Sequence, residues 1–147
     1  MIRAYAATAA GGQLERFDYD PGPLADDAVE IDVTACGICH SDLSMLHNHW
    51  GMTEYPVVPG HEIIGKVVDV GRKVRRFKKG DLVGVGCMVD SCQECGPCKD
   101  HLEMFCQNGC TWTYNSPNPH LGGRTYGGYS THIVVREEFI LKIPENI

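Results

Sequence analysis

Apolar and polar positions alternate in short runs along most of this chain. "AVEIDVTA" (28–35) does so most plainly, and "IIGKVVDVG" (63–71), "DLVGVGC" (81–87), "STHIVV" (130–135) and "FILKI" (139–143) are brief, β-branched and bounded by glycine or charge. Such runs predict half-buried strands. The opening "MIRAYAATAAGG" reads as a further first strand. Only "HSDLSMLHNHW" (40–50) has helical spacing, with Leu43, Leu46, His47 and Trp50 on one expected face. Seventeen glycines and eight prolines divide the rest. The pattern predicts a mainly β barrel or sandwich with one or two short helices.

Residues 88–127 do not fit that pattern, because a long aperiodic segment inside a compact domain needs something to tie it down. Cys92, Cys95, Cys98 and Cys106 supply a means, in the spacing C-x2-C-x2-C-x7-C. A C-x2-C turn presents two thiolates from one tight loop, and four thiolates make a closed tetrahedral zinc site of structural type. Iron–sulfur ligation is a chemical rival. Gly96 and Pro97 inside the run place these cysteines on turns, not along a helix face. Cys87 and Cys110 share no such spacing and read as ordinary buried or free thiols.

Length and charge narrow the classes. The 147 residues suit one domain with a proper core. A formal charge of −6 argues against general binding to nucleic acid or anionic membranes. Seven of the thirteen Lys and Arg residues do fall between Lys66 and Lys79, but "DVG" and "KKGD" punctuate that stretch as a solvated turn. The N-terminal segment is too short and weakly apolar for a secretory signal, and no run approaches the roughly 20 apolar residues of a membrane helix. The expected location is the cytoplasm, where cysteines serve as metal ligands or free thiols more often than as disulfides.

A second group of candidate ligands lies in "CGICHSD" (36–42) and "PGHEIIG" (59–65). Cys39, His61 and Glu62 are the ligand types of a catalytic zinc that keeps a position open for water or substrate. From the residues alone the spacing is only suggestive, since a lone histidine before a strand, as His61 is, is more often a hydrogen-bonded structural residue than a ligand.

"GHEIIGKVVDVGRKV" (60–74) resembles the signature of the zinc-containing alcohol dehydrogenases of the medium-chain dehydrogenase/reductase superfamily. "CGICHSD", "YPVVPGHE", the spaced cysteines, "TYNSP" and "GGYSTHIVV" follow in that family's order, and the likeness is greatest to its cinnamyl alcohol dehydrogenase-like, usually NADP-dependent branch. The resemblance covers residues 1–147. It implies a GroES-like partial β-barrel with short helices and a structural-zinc lobe at about 88–127. It also implies hydride exchange between a small primary alcohol or aldehyde and NADP or NAD. Cys39 and His61 would be catalytic-zinc ligands, with Glu62 entering the coordination shell during exchange. Asp42 would orient the ligand imidazole, Ser41 would take the alcohol proton, and His40 would approach the cofactor phosphates. Trp50 and Trp112 match the aromatic wall of the substrate pocket, although core packing accounts for two tryptophans equally well. Cys36 would be a bystander.

Two departures from the family pattern matter. Many relatives carry a relay histidine where this chain has Ser44, and His47, one turn on, is the candidate substitute. No G-x-G-x-x-G fingerprint follows a strand, so the nucleotide-binding Rossmann domain and the third catalytic ligand are expected in a part of the enzyme outside this chain. The chain by itself is expected to be inactive. The rival readings are a non-catalytic zinc-stabilised β module that binds a partner protein, a zinc-ribbon nucleic-acid binder, which the charge disfavours, and the superfamily's zinc-free reductases, which leave the cysteines unexplained.

Overall fold

The computed structural model describes residues 1–118, 123–144 and 146. The expected zinc lobe at 88–127 is therefore described except at 119–122, and the 1–147 span also omits 145 and 147.

The expected strands form where the alternation places them. β1 (Ile2–Ala6) pairs with β2 (Glu15–Tyr19), a strand the sequence pattern did not announce. A five-stranded antiparallel sheet follows, built from β3 (Ala28–Cys36), β4 (Ile63–Val70), β5 (Leu82–Val85), β8 (His132–Arg136) and β9 (Ile140–Lys142) in the order β8-β3-β4-β5-β9. It curls into the half-barrel of a GroES-like domain, as expected. Its inner face carries Val29, Ile31, Ile63, Val67, Val83, Ile133, Val135 and Ile140, the main hydrophobic core. Burying such side chains contributes roughly 1.5–3 kcal/mol each before entropy is counted.

Gly65 shows how closely two strands meet. It lies opposite Val33, where β3 is irregular, and a Cβ there would strike the Asp32 carbonyl and the Ile31 side chain.

The helix is shorter than its spacing predicts. α1 runs His40–Leu46, because Asn48 takes φ 56° and Gly51 φ 69°, conformations that end a right-handed helix. Asn48 then fixes the turn by accepting the Thr53 N–H at 2.9 Å. The buried face is Asp42, Ser44 and Met45, while Leu43 and Trp50 are exposed; of the expected apolar face only Leu46 packs inward. Polar groups bound for a site, not a greasy stripe, set this helix's orientation.

Beyond β5 the chain makes a short ladder of β6 (Met88–Asp90) and β7 (Thr111–Trp112) that brackets the cysteine loop. One cysteine departs from the turn expectation. Cys98 lies inside a single helical turn, α2 (Gly96–Lys99), with Cys95 as its N-cap. Pro97 sits in the first turn, where its missing N–H costs nothing.

The basic stretch is a charge-paired turn region. Arg72 and Lys73 face Asp26, Lys79 faces Asp69, and the Arg75 and Arg76 backbone N–H groups donate to Glu137. No helix among the described residues is long and apolar enough to cross a membrane.

Candidate metal centre and substrate cleft

Two ligand clusters stand apart in the fold. In the first, ligand atoms of Cys39, His61 and Glu62 all lie within 4.8 Å of one another. Cys39 comes from the N-terminus of α1, and His61 and Glu62 from the segment entering β4. Gly60 makes that approach possible. Its φ of +100° turns the chain, and a Cβ would fall 2.7 Å from the Tyr129 ring and 2.8 Å from Cys36 Sγ. The Gly37 N–H donates to the Glu62 carbonyl at 2.8 Å, which ties the end of β3 to the ligand pair.

Asp42 holds the two ligand segments together. It is 3% exposed, so its carboxylate needs partners. Oδ2 accepts the Cys39 N–H at 2.9 Å, and Oδ1 accepts the Gly60 N–H at 3.0 Å. The Nδ1 of His61 stands 3.4 Å from Oδ1, which fixes the imidazole and leaves Nε2 as the nitrogen to face an ion. The Tyr129 hydroxyl donates to Oδ2 at 3.5 Å. Ser41 donates to Cys39 Sγ at 3.1 Å.

A thiolate, an imidazole and a carboxylate suit a borderline ion such as zinc. The half-burial of Cys39 and His61, beside an exposed Glu62, leaves access from solvent.

A cleft of about 350 Å³ opens beside this cluster, lined by Ser41, Met45, Trp50, Met52, His61, Cys87, Trp112 and Tyr114 among others. Trp50 and Trp112 are 56% and 49% exposed, so they are walls of the cleft and not core. The Tyr114 ring lies 5.7 Å from that of His61, and burial, followed by its hydrogen bond to Asp42 and then the Asp42 charge, raises its phenol well above the usual range.

His40 is exposed at the first position of α1. His47 stacks on His49 at 5.4 Å and does not line the cleft; among the described residues no hydrogen bond joins it to Ser41. Ser44, at the position of the family's relay histidine, is buried within α1.

Sequence reasoning passed over Tyr114, Tyr129, Met52 and Cys87. Cys87, expected to be an ordinary thiol, is exposed on the cleft wall. No spacing rule marks these residues. Met52 reaches the site from the loop after α1, and Cys87, Tyr114 and Tyr129 from the segments after β5, after β7 and before β8.

The second cluster is the four-cysteine loop. Ligand atoms of Cys92, Cys95, Cys98 and Cys106 lie within 4.8 Å of one another, with Cys98 buried and the others half-buried. The backbone N–H groups of Glu94 and Cys95 point at Cys92 and push its pKa down to about 6, a thiolate near neutrality. That donor set fits a closed structural ion.

A curled antiparallel half-barrel thus carries an open thiolate–imidazole–carboxylate cluster and, apart from it, a four-thiol loop, each able to hold a metal ion. The family described as "Alcohol dehydrogenase GroES-like domain" matches residues 25–145, and the chain belongs to it. Among curated relatives, aldehyde reductase YahK of Escherichia coli (strain K12) is 50% identical over 145 residues, covering 97% of this chain and 40% of the relative. Among solved structures, the cinnamyl alcohol dehydrogenase SbCAD4 of Sorghum bicolor superposes with a TM-score of 0.94 at 42% identity, covering 99% of this chain and 41% of that one. CAD from Helicobacter pylori, solved as a complex with NADP(H), gives a TM-score of 0.91 at 38% identity, covering 99% and 42%. The chain thus spans about two-fifths of the length of these relatives.

Proposed function

We propose that this chain is the catalytic domain of a zinc-dependent dehydrogenase that interconverts small primary alcohols and aldehydes by hydride exchange with NADP or NAD. The observation that carries the reading is the meeting of Cys39, His61 and Glu62 ligand atoms beside an aromatic-walled cleft that His61 itself lines. The names of the relatives, an aldehyde reductase and cinnamyl alcohol dehydrogenases, support the substrate class. The NADP(H) complex of the Helicobacter pylori neighbour supports the cofactor class.

Cys39 and His61 would hold the catalytic ion, with Glu62 beside them, and Cys92, Cys95, Cys98 and Cys106 a structural one. Bound zinc supplies Lewis acidity toward an alcohol or carbonyl oxygen, and the nicotinamide supplies or accepts the hydride. This chain's own side chains bind, orient and move the proton. Trp50, Trp112, Met45 and Met52 bury the substrate's organic part and exclude water around it. Asp42 keeps the His61 ring in place and raises its basicity. Ser41, inside the cleft and beside Cys39, is the hydroxyl that takes the alcohol proton or returns it to the aldehyde. His47, at the solvent end of α1, is the candidate next acceptor, reached through water. His40 faces outward to meet the cofactor phosphates.

Every sheet pairing among the described residues is antiparallel, so no βαβ unit is available here to bind a dinucleotide. The nicotinamide cofactor is therefore held mainly by residues outside this stretch, and the chain alone should not turn over.

The test is zinc content per purified chain, with and without Cys39→Ala. About two ions falling to about one supports the reading. One ion that survives the substitution would show that this chain does not assemble a catalytic metal site.

A further inference from the structure

Asp42 is a buried carboxylate with more than a helix cap to satisfy. Its partners come from four separate stretches: the Cys39 N–H at the start of α1, the Gly60 N–H and His61 Nδ1 ahead of β4, the Tyr114 hydroxyl just after β7, and the Tyr129 hydroxyl ahead of β8. The first two stretches also carry the ligands. Tyr114 lines the substrate cleft, whereas Tyr129 carries no ligand and does not line it. Tyr129 lines a different hollow, of about 510 Å³, with Arg3, Arg16 and Cys36.

Tyr129 is itself firmly placed. Its N–H donates to the Pro59 carbonyl at 3.0 Å, its carbonyl accepts the Tyr5 N–H at 2.9 Å, and its ring occupies the space that a side chain at position 60 would need. The residue therefore touches both the bend that presents His61 and the carboxylate that orients it.

We propose that Tyr129 is a positioning residue of the metal centre, its hydroxyl completing the set of donors that holds the Asp42 carboxylate against His61. The inference rests on the metal reading of the Cys39, His61 and Glu62 cluster. Oδ1 has the Gly60 N–H and His61, whereas the backbone donor to Oδ2 is the Cys39 N–H of the same helix start; a further donor to Oδ2 from the segment ahead of β8 restrains the carboxylate's plane, and with it the distance from Oδ1 to the imidazole. Burial and then the Asp42 charge push the Tyr129 pKa up to about 12, so the phenol keeps its proton as a donor throughout the neutral range.

Tyr129→Phe tests this without disturbing the cleft, because the ring that packs on Gly60 stays. Co²⁺ titration of the 147-residue chain, followed by visible absorption, reads both metal sites. The expected result is about tenfold weaker binding at Cys39, His61 and Glu62, with a shifted absorption band, while the four-cysteine site is unchanged. In an Asp42→Asn background the same change should add nothing, since both act through one carboxylate. Amide exchange at Cys39 and Gly60, the backbone donors to Asp42, should quicken in Tyr129→Phe even without metal. Unchanged Co²⁺ affinity together with unchanged exchange at both amides would overturn the proposal. A wild-type chain that takes Co²⁺ only at the four cysteines would instead defeat the metal reading, and amide exchange would then decide whether Tyr129 holds Asp42.

Discussion

Asp42 illustrates how one buried residue can serve local structure and chemistry at once. It sits at the third position of α1, where a carboxylate reaching back to the Cys39 N–H stabilises the helix start. The same carboxylate binds the Gly60 N–H and faces His61. Asp42→Asn should therefore cost in two measurements. Metal affinity at the Cys39 cluster should fall about 10–100-fold in a Co²⁺ titration. Urea unfolding should show a loss of roughly 1–3 kcal/mol, because an amide cannot accept all these donors. Loss of stability with intact affinity would reduce Asp42 to a capping residue.

Thiol chemistry gives a second test at this scale. Cys92 is held at about 6 by the N–H groups of Glu94 and Cys95, whereas burial raises Cys36, Cys87 and Cys110. The thiolate is the reactive form, so iodoacetamide at pH 7 should modify Cys92 of the metal-free chain before those three, as peptide mass mapping would show. Faster labelling of Cys36 would mean that the backbone donors do not govern the loop.

Among the elements, the sheet is where sequence and structure agree most directly. The alternation in 28–35 and 63–71 becomes β3 and β4 with Val29, Ile31, Ile63 and Val67 inward, because period-two patterning fixes which face is buried. β2, "ERFDY", escaped notice since it pairs only with β1 and buries little. α1 was misjudged in length and in face. Its inward face mixes Asp42 and Ser44 with Met45 and Leu46, and hydrophobic periodicity carries little signal for a helix whose buried side is partly polar. The residues that cluster as candidate ligands, Cys39, His61 and Glu62 and the four spaced cysteines, were legible from residue type and family likeness together. The tyrosines were not, because their roles arise from strand convergence and not from spacing. Gly65 tests the sheet itself: Gly65→Ala would press a methyl group into the backbone of β3, which cannot move aside as a side chain can. A loss of about 3 kcal/mol in urea unfolding is expected, at the upper end for overpacking. A neutral effect would show that β3 and β4 can separate there at little cost.

For the molecule as a whole, the question is what each ion holds in place. Between Ser91 and Trp112 only Cys98 is buried, so this loop has no hydrophobic core of its own. Its ties to the barrel are few: Val89 reaches the main core, Asp90 stands 3.6 Å from Arg136, and Thr113 donates to the Gly86 carbonyl. A segment this dry of apolar contacts cannot offset its ordering entropy by burial, and an ion held by the four cysteines, as proposed, would supply the difference. The half-barrel is in the opposite position, with its core drawn from five strands and only Val89 contributed from the lobe. Removing metal with a strong chelator should therefore melt residues 91–112 while the sheet persists. Amide spectra of a labelled chain would show it: signals from β3, β4, β5 and β8 should keep their dispersion as those of the cysteine loop collapse. Collapse of both sets together would mean that the structural ion stabilises the whole barrel, and that the lobe is part of the domain's folding core.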